Sequence, residues 1–424
     1  LSSCDNDAPV VEVRQGKILG KTLTSRNGRE FFSFFSIPYG QAERFQAPSI
    51  AANWNGTLEA TQYGLPCAQK TWITNENLGE ENCLKLQVFT PSLTNNMPVM
   101  VYFHGGGFTI GTGNILQPQY FMDEDIVLVV VNYRLGPFGF LSLQDEHIPG
   151  NNGLKDQSVA LKWVQQNIVN FGGNPKKVTI FGNSAGAASV SFHMLSQQSS
   201  YLFHSAIMQS GSSLNPWAMS KHPKEMASRY GENVGCSTSD STSFLDCLKT
   251  KTTNEILDAM ESLTQWNYDP FTPFGVVVEP ETPGAFITVD PLISLRLGNF
   301  SRVPVIIGVV EDEGILLHSA CVAHVDEISF LFADSYQVAP EFQKNSVAEG
   351  VSKKFVKLWA SFATNGSPTE LWGVEQKWEP ISADEREEKT PLQYYRIDED
   401  TSVINEPFTN RMNFWKELLH DSFN

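Results

Sequence analysis

Residues 178–186 read Val-Thr-Ile-Phe-Gly-Asn-Ser-Ala-Gly, a short apolar run that passes into a Gly-x-Ser-x-Gly pattern. The apolar run predicts a buried strand, and the small residues from Ala185 to Ser196 predict a helix. Such a turn lifts the serine hydroxyl off the sheet, at a helix N-terminus whose dipole favours a developing negative charge. Glycine is required on both sides because a Cβ there would crowd the strand and the helix. Ser184 is therefore a candidate nucleophile, against the alternative of an ordinary Gly-Ser turn.

Short apolar runs on both sides of this stretch end at glycine or Asx turns. Because they are almost continuously apolar, they predict strands buried on both faces, as in a parallel sheet. Between them, Leu154 to Phe171 has the helical period, and Pro216 to Thr264 is a more polar, helical region that could cap the sheet. This alternation predicts an α/β fold with a mostly parallel central sheet and helices on both faces. The runs are Val99 to Phe103, Ile126 to Val131, Ala206 to Met208 and Val303 to Val310.

The first of these runs leads directly into His104-Gly105-Gly106-Gly107. Glycines let the backbone approach a substrate carbonyl, so the N–H groups of Gly106, Gly107 and Ala185 are predicted to form an oxyanion hole. A flexible loop and a phosphate cradle are the alternatives. A phosphate loop requires Lys followed by Ser or Thr, and Phe108-Thr109 follows here instead. His104 itself is interpreted as structural.

Taken together, these motifs resemble the type-B carboxylesterase family over nearly the whole chain. The resemblance implies one α/β-hydrolase domain over residues 1–424, with cap helices inserted around a gorge, and a serine carboxylic-ester hydrolase. Asn82, Asn174 and Asn183 depart from the residues usual in the family, and neither the change at 174 nor the one at 183 removes a catalytic group. The loop from Ala323 to Phe332 is similar to arthropod esterases. The further segments that carry the resemblance are Ile37–Tyr39, Glu81–Leu84, Asn132–Gly136, Asn151–Gln157 and Phe171–Pro175.

The resemblance also implies the other two members of a catalytic triad. The family's acid is the Glu of an Asp-Glu-Gly that follows a strand, which corresponds to Glu313. The family's histidine loop is similar to residues 321–327, which gives His324. The alternatives are Glu311 and Asp312 for the acid, and His318 for the histidine.

The interval between the predicted acid and histidine is unusually short. Only ten residues separate Glu313 from His324, whereas the family has a far longer interval with strands and helices of its own. We therefore expect that residues are missing between Gly314 and Ala323.

The implied chemistry is acyl transfer in two halves on small to medium apolar esters, with no metal or cofactor. His324 removes the proton of Ser184, and Glu313 orients His324 and stabilises its cation. Ser210 is either a support near the histidine or a strand-end turn. The alternative function is that of a non-catalytic or weakly active lipid-binding or adhesion homologue of the same fold.

The net charge of -17, from 30 basic and 47 acidic residues, excludes a nucleic-acid-binding surface and favours neutral or cationic small substrates. The longest apolar run, Ile126 to Val131, is too short to cross a bilayer. No signal peptide stands at Leu1, so we expect that the leader of a secreted protein is already absent. Oligomeric state does not follow from the sequence.

Six cysteines suit disulfides in an oxidising compartment, and no CxxC pattern points to zinc. The family resemblance implies the pairs Cys67–Cys83 and Cys236–Cys247, and it assigns no partner to Cys4 or Cys321. Sequons for N-glycosylation stand at Asn55 and Asn299, and a third at Asn365 is weakened by Pro368. These features together predict a secreted glycoprotein.

Overall fold

The computed structural model describes residues 8–71, 74–263, 270, 272–314, 323–333, 342–368, 378–381 and 392–418. The chain divides into two compact units, Leu1–Pro340 and Glu341–Asn424. The large sheet and the predicted catalytic residues belong to the first unit. The assignment of residues 1–424 to a single domain stays a prediction.

The strands and helices follow one another along the chain as follows. The strands are β1 Val10–Val13, β2 Gly16–Leu19, β3 Lys21–Thr24, β4 Glu30–Pro38, β5 Gly40–Gln41, β6 Ser49–Ile50, β7 Thr57–Glu59, β8 Gln69–Lys70, β9 Asn77–Leu78, β10 Lys85–Thr90, β11 Met97–Phe103, β12 Val127–Val131, β13 Gly173–Asn183, β14 Ser205–Gln209, β15 Val305–Gly308, β16 Gln393–Arg396 and β17 Ser402–Asn405. The helices are α1 Gly136–Phe140, α2 Asn152–Asn167, α3 Ala185–Leu195, α4 Pro223–Val234, α5 Ser241–Thr250, α6 Thr253–Asp258, α7 Pro291–Arg296, α8 Ile328–Leu331, α9 Val347–Asn365 and α10 Thr409–Leu418.

An eight-stranded sheet forms the centre of the first unit, in the order β15-β14-β13-β11-β12-β10-β4-β3. The strands from β12 to β15 pair in parallel, and β10, β4 and β3 continue the sheet in antiparallel pairs. All five strands predicted from apolar runs lie in the parallel part. The predicted α/β fold class is confirmed.

The burial of the central strands explains why their sequences are so apolar. Every residue of β11 and β12 is buried, and Val101 pairs with Val129 on one side and with Ile180 on the other. Because helices cover both faces of parallel strands, such strands have no polar face. The edge strand differs: β15 ends at Gly308, and Val309 beyond it is 59% exposed, so the predicted run to Val310 was too long.

The predicted helices are present with shifted ends. Helix α2 begins at Asn152 and gives way to a 3-10 turn over Ile168–Phe171, which Gly172 ends with a φ of 75°. The left-handed conformation favours glycine, which explains the stop. The region from Pro216 to Thr264 is helical, as predicted: it contains α4, α5 and α6, whose apolar faces join the main core.

Two buried ion pairs hold the segments that flank the site. The guanidinium of Arg134 binds Asp156 through two hydrogen bonds of 2.8 and 2.7 Å, and Lys155 Nζ lies 2.5 Å from Glu279. Loss of one partner would leave an uncompensated buried charge, so these pairs are expected to be required for the fold.

The second unit contains α9, the antiparallel hairpin β16–β17 and α10. Helix α9 buries Phe355, Leu358, Trp359 and Phe362 along one face.

Candidate active site

Ser184 lies on the turn between β13 and α3 with a φ of 56°. This conformation is costly for a residue with a side chain, by about 1–3 kcal/mol, and is maintained by its surroundings. A Cβ on Gly182 would lie 2.5 Å from the Gly186 carbonyl carbon, and one on Gly186 would lie 2.0 Å from the Phe103 oxygen. Both glycines of the Gly-x-Ser-x-Gly pattern are therefore sterically required, as the sequence predicted.

Hydrogen bonds fix the backbone of Ser184 on both sides. Its N–H donates to the Gln209 carbonyl at the end of β14 at 2.9 Å, and its carbonyl accepts from Ala188 N–H in the first turn of α3 at 2.9 Å. Ser184 retains 8% exposure. The serine is thus held rigidly at the carboxyl end of the parallel strands and at a helix N-terminus, which favours negative charge.

The glycine loop lies against the nucleophile, because a Cβ on Gly105 would be 3.1 Å from the Ser184 Cβ. The ring Nδ1 of His104 lies 2.9 Å from the Gly105 oxygen, which can only accept, so this nitrogen carries the proton. The Gly106 oxygen accepts from the N–H groups of Thr109 and Ile110 at 3.1 and 3.0 Å. In a trans peptide the N–H points away from the preceding carbonyl. The anchored carbonyls therefore fix the directions of the N–H groups of Gly106 and Gly107.

His104 is built into the loop rather than presented to a ligand. Its ring stacks on Tyr133 with centroids 4.4 Å apart, and the Tyr133 hydroxyl donates to the His104 carbonyl at 2.8 Å. Burial lowers the pKa of His104 to about 4, although the hydrogen bond to Gly105 opposes the shift. The ring is therefore neutral at physiological pH, which suits a structural role.

Glu313 and His324 contact each other directly, with 2.6 Å between Oε2 of Glu313 and Nδ1 of His324. The other carboxylate oxygen accepts from Val310 N–H at 3.0 Å. Burial raises the pKa of Glu313, but hydrogen bonds from His324, Ser210 and Val310 outweigh burial and leave the pKa below its usual value. The carboxylate is thus ionised at neutral pH, as an orienting partner of a histidine must be.

The backbone brings these two residues together. Asp312 and Ala323 form a parallel β-bridge, and Ala323 N–H donates to the Asp326 carboxylate at 2.7 Å within the next turn. Asp312 thus lies beside the site through its backbone, while Glu311 is exposed. The alternative histidine, His318, lies outside the described residues.

Ser210 supports the acid rather than the histidine. Its hydroxyl hydrogen-bonds the Glu313 carboxylate, and its N–H donates to the Gly308 carbonyl at 2.8 Å. The sequence suggested a support near the histidine. In the structure, Ser210 instead contacts Glu313, which in turn contacts His324.

A known protein family matches most of this chain. The model of the carboxylesterase family matches residues 7–322 and 318–415. The chain belongs to the carboxylesterase family. The two matched segments meet inside the interval where residues were expected to be missing. That expectation stays a prediction, because residues 315–322 lie outside the described part of the chain.

Several relatives of this carboxylesterase-family chain are insect esterases. The venom carboxylesterase-6 of Apis mellifera is 39% identical over 374 residues, which cover 83% of this chain and 67% of the relative. The carboxylic ester hydrolase of Bombus ignitus is 37% identical over the same shares of both chains. The juvenile hormone esterase of Tribolium castaneum is 39% identical over 325 residues, 73% of this chain and 55% of the relative. These matches confirm the predicted family and enzyme class.

The carboxylesterase chain forms two disulfides, Cys67–Cys83 and Cys236–Cys247, with the pairing that the resemblance implied. Cys4 and Cys321 lie outside the described residues. The sequon asparagines Asn55 and Asn299 are both exposed.

Among the described residues, no cluster of three or more His, Cys, Asp or Glu side chains is suited to a metal ion. In the same part of the chain, no helix has the length and apolar character needed to cross a membrane.

One group at the site was not predicted from the sequence. Glu327 was noted as part of the histidine loop and Asn183 as a departure from the family, but neither was given a role. The structure joins them by a hydrogen bond from Asn183 Nδ2 to Glu327 Oε1. The side-chain amide of Asn183 was the signal for this pair, because an amide can donate a hydrogen bond and an ionised glutamate at the same position cannot.

Proposed function

We propose that this chain hydrolyses carboxylic esters through an acyl-enzyme on Ser184, with His324 as general base and Glu313 as its orienting acid. The observation that carries the proposal is the 2.6 Å contact between Glu313 and His324 in the same unit as the strained serine turn. A buried turn with positive φ at a serine is costly, and such strain concentrates at functional sites.

The contact between His324 and Glu313 determines which ring nitrogen of His324 can act as the base. His324 engages Glu313 through Nδ1, which leaves Nε2 to take the proton of Ser184. The serine oxygen attacks the ester carbonyl, and the N–H groups of Gly106, Gly107 and Ala185 receive the oxyanion. His324 returns the proton to the leaving alcohol, and a water molecule then repeats the cycle on the acyl-enzyme.

The substrate class follows from charge and from the family. The net charge of -17 disfavours anionic substrates, so the proposed substrates are neutral esters with small to medium apolar groups. The names of the relatives describe ester hydrolysis in those proteins, and the natural ester of this chain is not carried over from them.

We further propose that the protein is secreted and glycosylated. Two disulfides need an oxidising compartment to persist, and Asn55 and Asn299 are accessible to a glycosyl transferase. Treatment of the protein from insect culture medium with an N-glycosidase should increase its mobility. Loss of that shift in the variant N55Q/N299Q would assign the two sites.

Turnover of p-nitrophenyl acetate and butyrate tests the catalytic proposal. We expect hydrolysis by the wild type and a loss of about 10³-fold or more in kcat for S184A, because the nucleophile is gone. S212A is a matched control, since this hydroxyl pairs with Asn215 on a neighbouring turn. Equal turnover by the wild type and S184A would contradict Ser184 as the nucleophile. A wild type with no turnover above the uncatalysed rate would favour the non-catalytic alternative.

A further inference from the structure

A buried glutamine binds the backbone just beyond the glycine loop, and the mechanism above does not use it. Gln69 is 6% exposed; its Nε2 donates to the Gly111 carbonyl at 2.9 Å, and its Oε1 accepts from the Gly111 N–H at 2.8 Å. Nε2 also donates to the Cys67 carbonyl at 3.0 Å. One side-chain amide thus occupies both backbone polar groups of Gly111, as a partner strand does in a β-ladder.

The backbone of Gln69 is itself fixed. Gln69 pairs with Leu78 between the short strands β8 and β9. Cys67, two residues earlier, is bonded to Cys83, and both cysteines are buried. The side chain of Gln69 therefore extends from a base that a disulfide and a strand pair hold in place.

Gly111 in turn lies against the peptide that carries a predicted oxyanion donor. A Cβ on Gly111 would lie 2.4 Å from the Gly105 oxygen and 2.4 Å from Nδ1 of His104, and these two atoms are hydrogen-bonded to each other. The Gly105 carbonyl belongs to the same planar peptide as the Gly106 N–H. Ile110, directly before Gly111, donates its N–H to the Gly106 carbonyl at 3.0 Å. A movement of Gly111 would therefore disturb both peptides that direct the oxyanion donors of the glycine loop.

We propose that Gln69 is a positioning residue for ester hydrolysis, which keeps the proposed oxyanion loop, His104–Gly107, in its catalytic geometry by holding Gly111 through two hydrogen bonds. The inference rests on the proposed function, because it assigns the group that holds the proposed oxyanion donors in place. Such donors are effective because they already point at the developing charge and need not reorient during the reaction. Loss of Gln69 should therefore slow the chemical step and leave the binding of the ester nearly unchanged.

The test compares Q69M and Q69A with the wild type, and uses Q165A as a matched control. Methionine has about the length and volume of glutamine without its hydrogen bonds, so Q69M preserves the packing if Q69A does not fold. Gln165 also donates to two backbone carbonyls, those of Pro175 and Leu202, both at 2.9 Å. These contacts lie at the end of β13 opposite to Ser184.

The first measurement separates kcat from KM with p-nitrophenyl butyrate. We expect kcat to fall by about 10- to 10²-fold in Q69M and Q69A, because the donors are displaced rather than removed, with KM within about twofold of the wild type. Q165A should retain the wild-type kcat.

Binding of butyl trifluoromethyl ketone gives a readout that a purely structural role would not change. The Ser184 oxygen adds to the ketone carbon, the serine proton passes to His324, and the former carbonyl oxygen becomes an oxyanion in the proposed hole. Because this adduct resembles the tetrahedral intermediate, its affinity should fall in Q69M by about the same factor as kcat/KM.

Amide hydrogen exchange reports on the loop without turnover. In the wild type the Gly111 N–H is bonded to Oε1 of Gln69. The peptide over residues 104–113 should therefore contain an amide that exchanges at least about tenfold faster in Q69M, and that keeps its wild-type rate in Q165A.

Each failure identifies a different error. A folded Q69M with wild-type kcat and ketone affinity would overturn the role of Gln69 and leave the esterase proposal standing. An equal loss of kcat in Q165A would also overturn it, because the loss would then follow general stability. A wild type without turnover would overturn the esterase proposal and the role of Gln69 in catalysis with it, whatever the exchange shows.

Discussion

Substitution of Gly186 by alanine should displace the turn that carries Ser184 and lower the rate of a protein that still folds. The new Cβ would lie 2.0 Å from the Phe103 oxygen and 2.8 Å from the Phe103 carbon, both backbone atoms of β11. Cβ contacts below 3.0 Å essentially do not occur, so helix α3 must move by about 1 Å or more. Ser184 lies at the start of that helix, and His104–Gly107, the proposed oxyanion loop, follow Phe103 directly. A displacement of about 1 Å between catalytic groups costs about 10²-fold in rate.

We therefore expect G186A to lose at least about 10²-fold in kcat/KM for p-nitrophenyl butyrate, at a temperature well below its Tm. Overpacking should also destabilise the fold by about 1–3 kcal/mol, measured by thermal unfolding. G350A is the control: no atom lies within 4 Å of its Cβ, and Gly350 is inside helix α9, where alanine is favoured by about 1 kcal/mol. A folded G186A with wild-type kcat/KM would refute the steric reasoning.

E313Q should lower kcat by about 10²–10⁴-fold with a small change in KM, because an amide stabilises neither the correct tautomer nor the cation of His324; an unchanged kcat would move the acid to Glu311 or Asp312. H104A should lower kcat by about 10²-fold while leaving KM near the wild-type value, because the Gly105 carbonyl loses its hydrogen bond and the Gly106 N–H of the same peptide is no longer held in place. A kcat equal to that of the wild type would show that His104 does not support the proposed oxyanion loop. The pKa of Glu313 is lowered in the folded state, so the ionised carboxylate stabilises the fold above the unfolded pKa of about 4.3. This stabilisation is lost as the pH falls from there through the folded pKa. The difference in unfolding free energy between wild type and E313Q should therefore shrink as the pH falls below about 4.3. The pKa of Glu327 is instead raised to about 7, so the wild type should lose stability relative to E327Q as pH rises from 5 to 8, and a constant difference would contradict the shift. C67A/C83A should cost about 3 kcal/mol in denaturant unfolding, as expected for a loop closed over 16 residues, and a loss below about 1 kcal/mol would make the bond dispensable.

The parallel half of the sheet could be predicted because burial on both faces leaves a strong signal. β12 is Val-Leu-Val-Val-Val, and no other local structure explains such a run between turns as well. The antiparallel strands β3, β4 and β10 gave no comparable signal. Strand β3 is the short, polar Lys-Thr-Leu-Thr, and the alternation of β4 is broken by aromatic residues in Glu-Phe-Phe-Ser-Phe-Phe. The end of β15 was also missed, because apolar residues at a sheet edge continue past the last paired residue.

At the site, sequence motifs were sufficient where one local segment builds the feature. The serine turn and the glycine loop are both contiguous, so their geometry follows from their own residues. Long-range contacts were different. The hydrogen bond from Asn183 to Glu327 spans 144 positions, and the support of Glu313 by Ser210 joins two strand ends, so neither could be derived without the fold.

Covalent labelling shows directly whether Ser184 is the activated nucleophile of the proposed mechanism. The protein is incubated with an organophosphate ester such as paraoxon, digested, and mapped by mass spectrometry, while hydrolysis of p-nitrophenyl butyrate is followed in the same sample. The proposed mechanism predicts one phosphoryl adduct on Ser184 and a loss of turnover in proportion to labelling. Turnover that persists with Ser184 fully labelled, or an adduct on another residue with Ser184 unmodified, would contradict it.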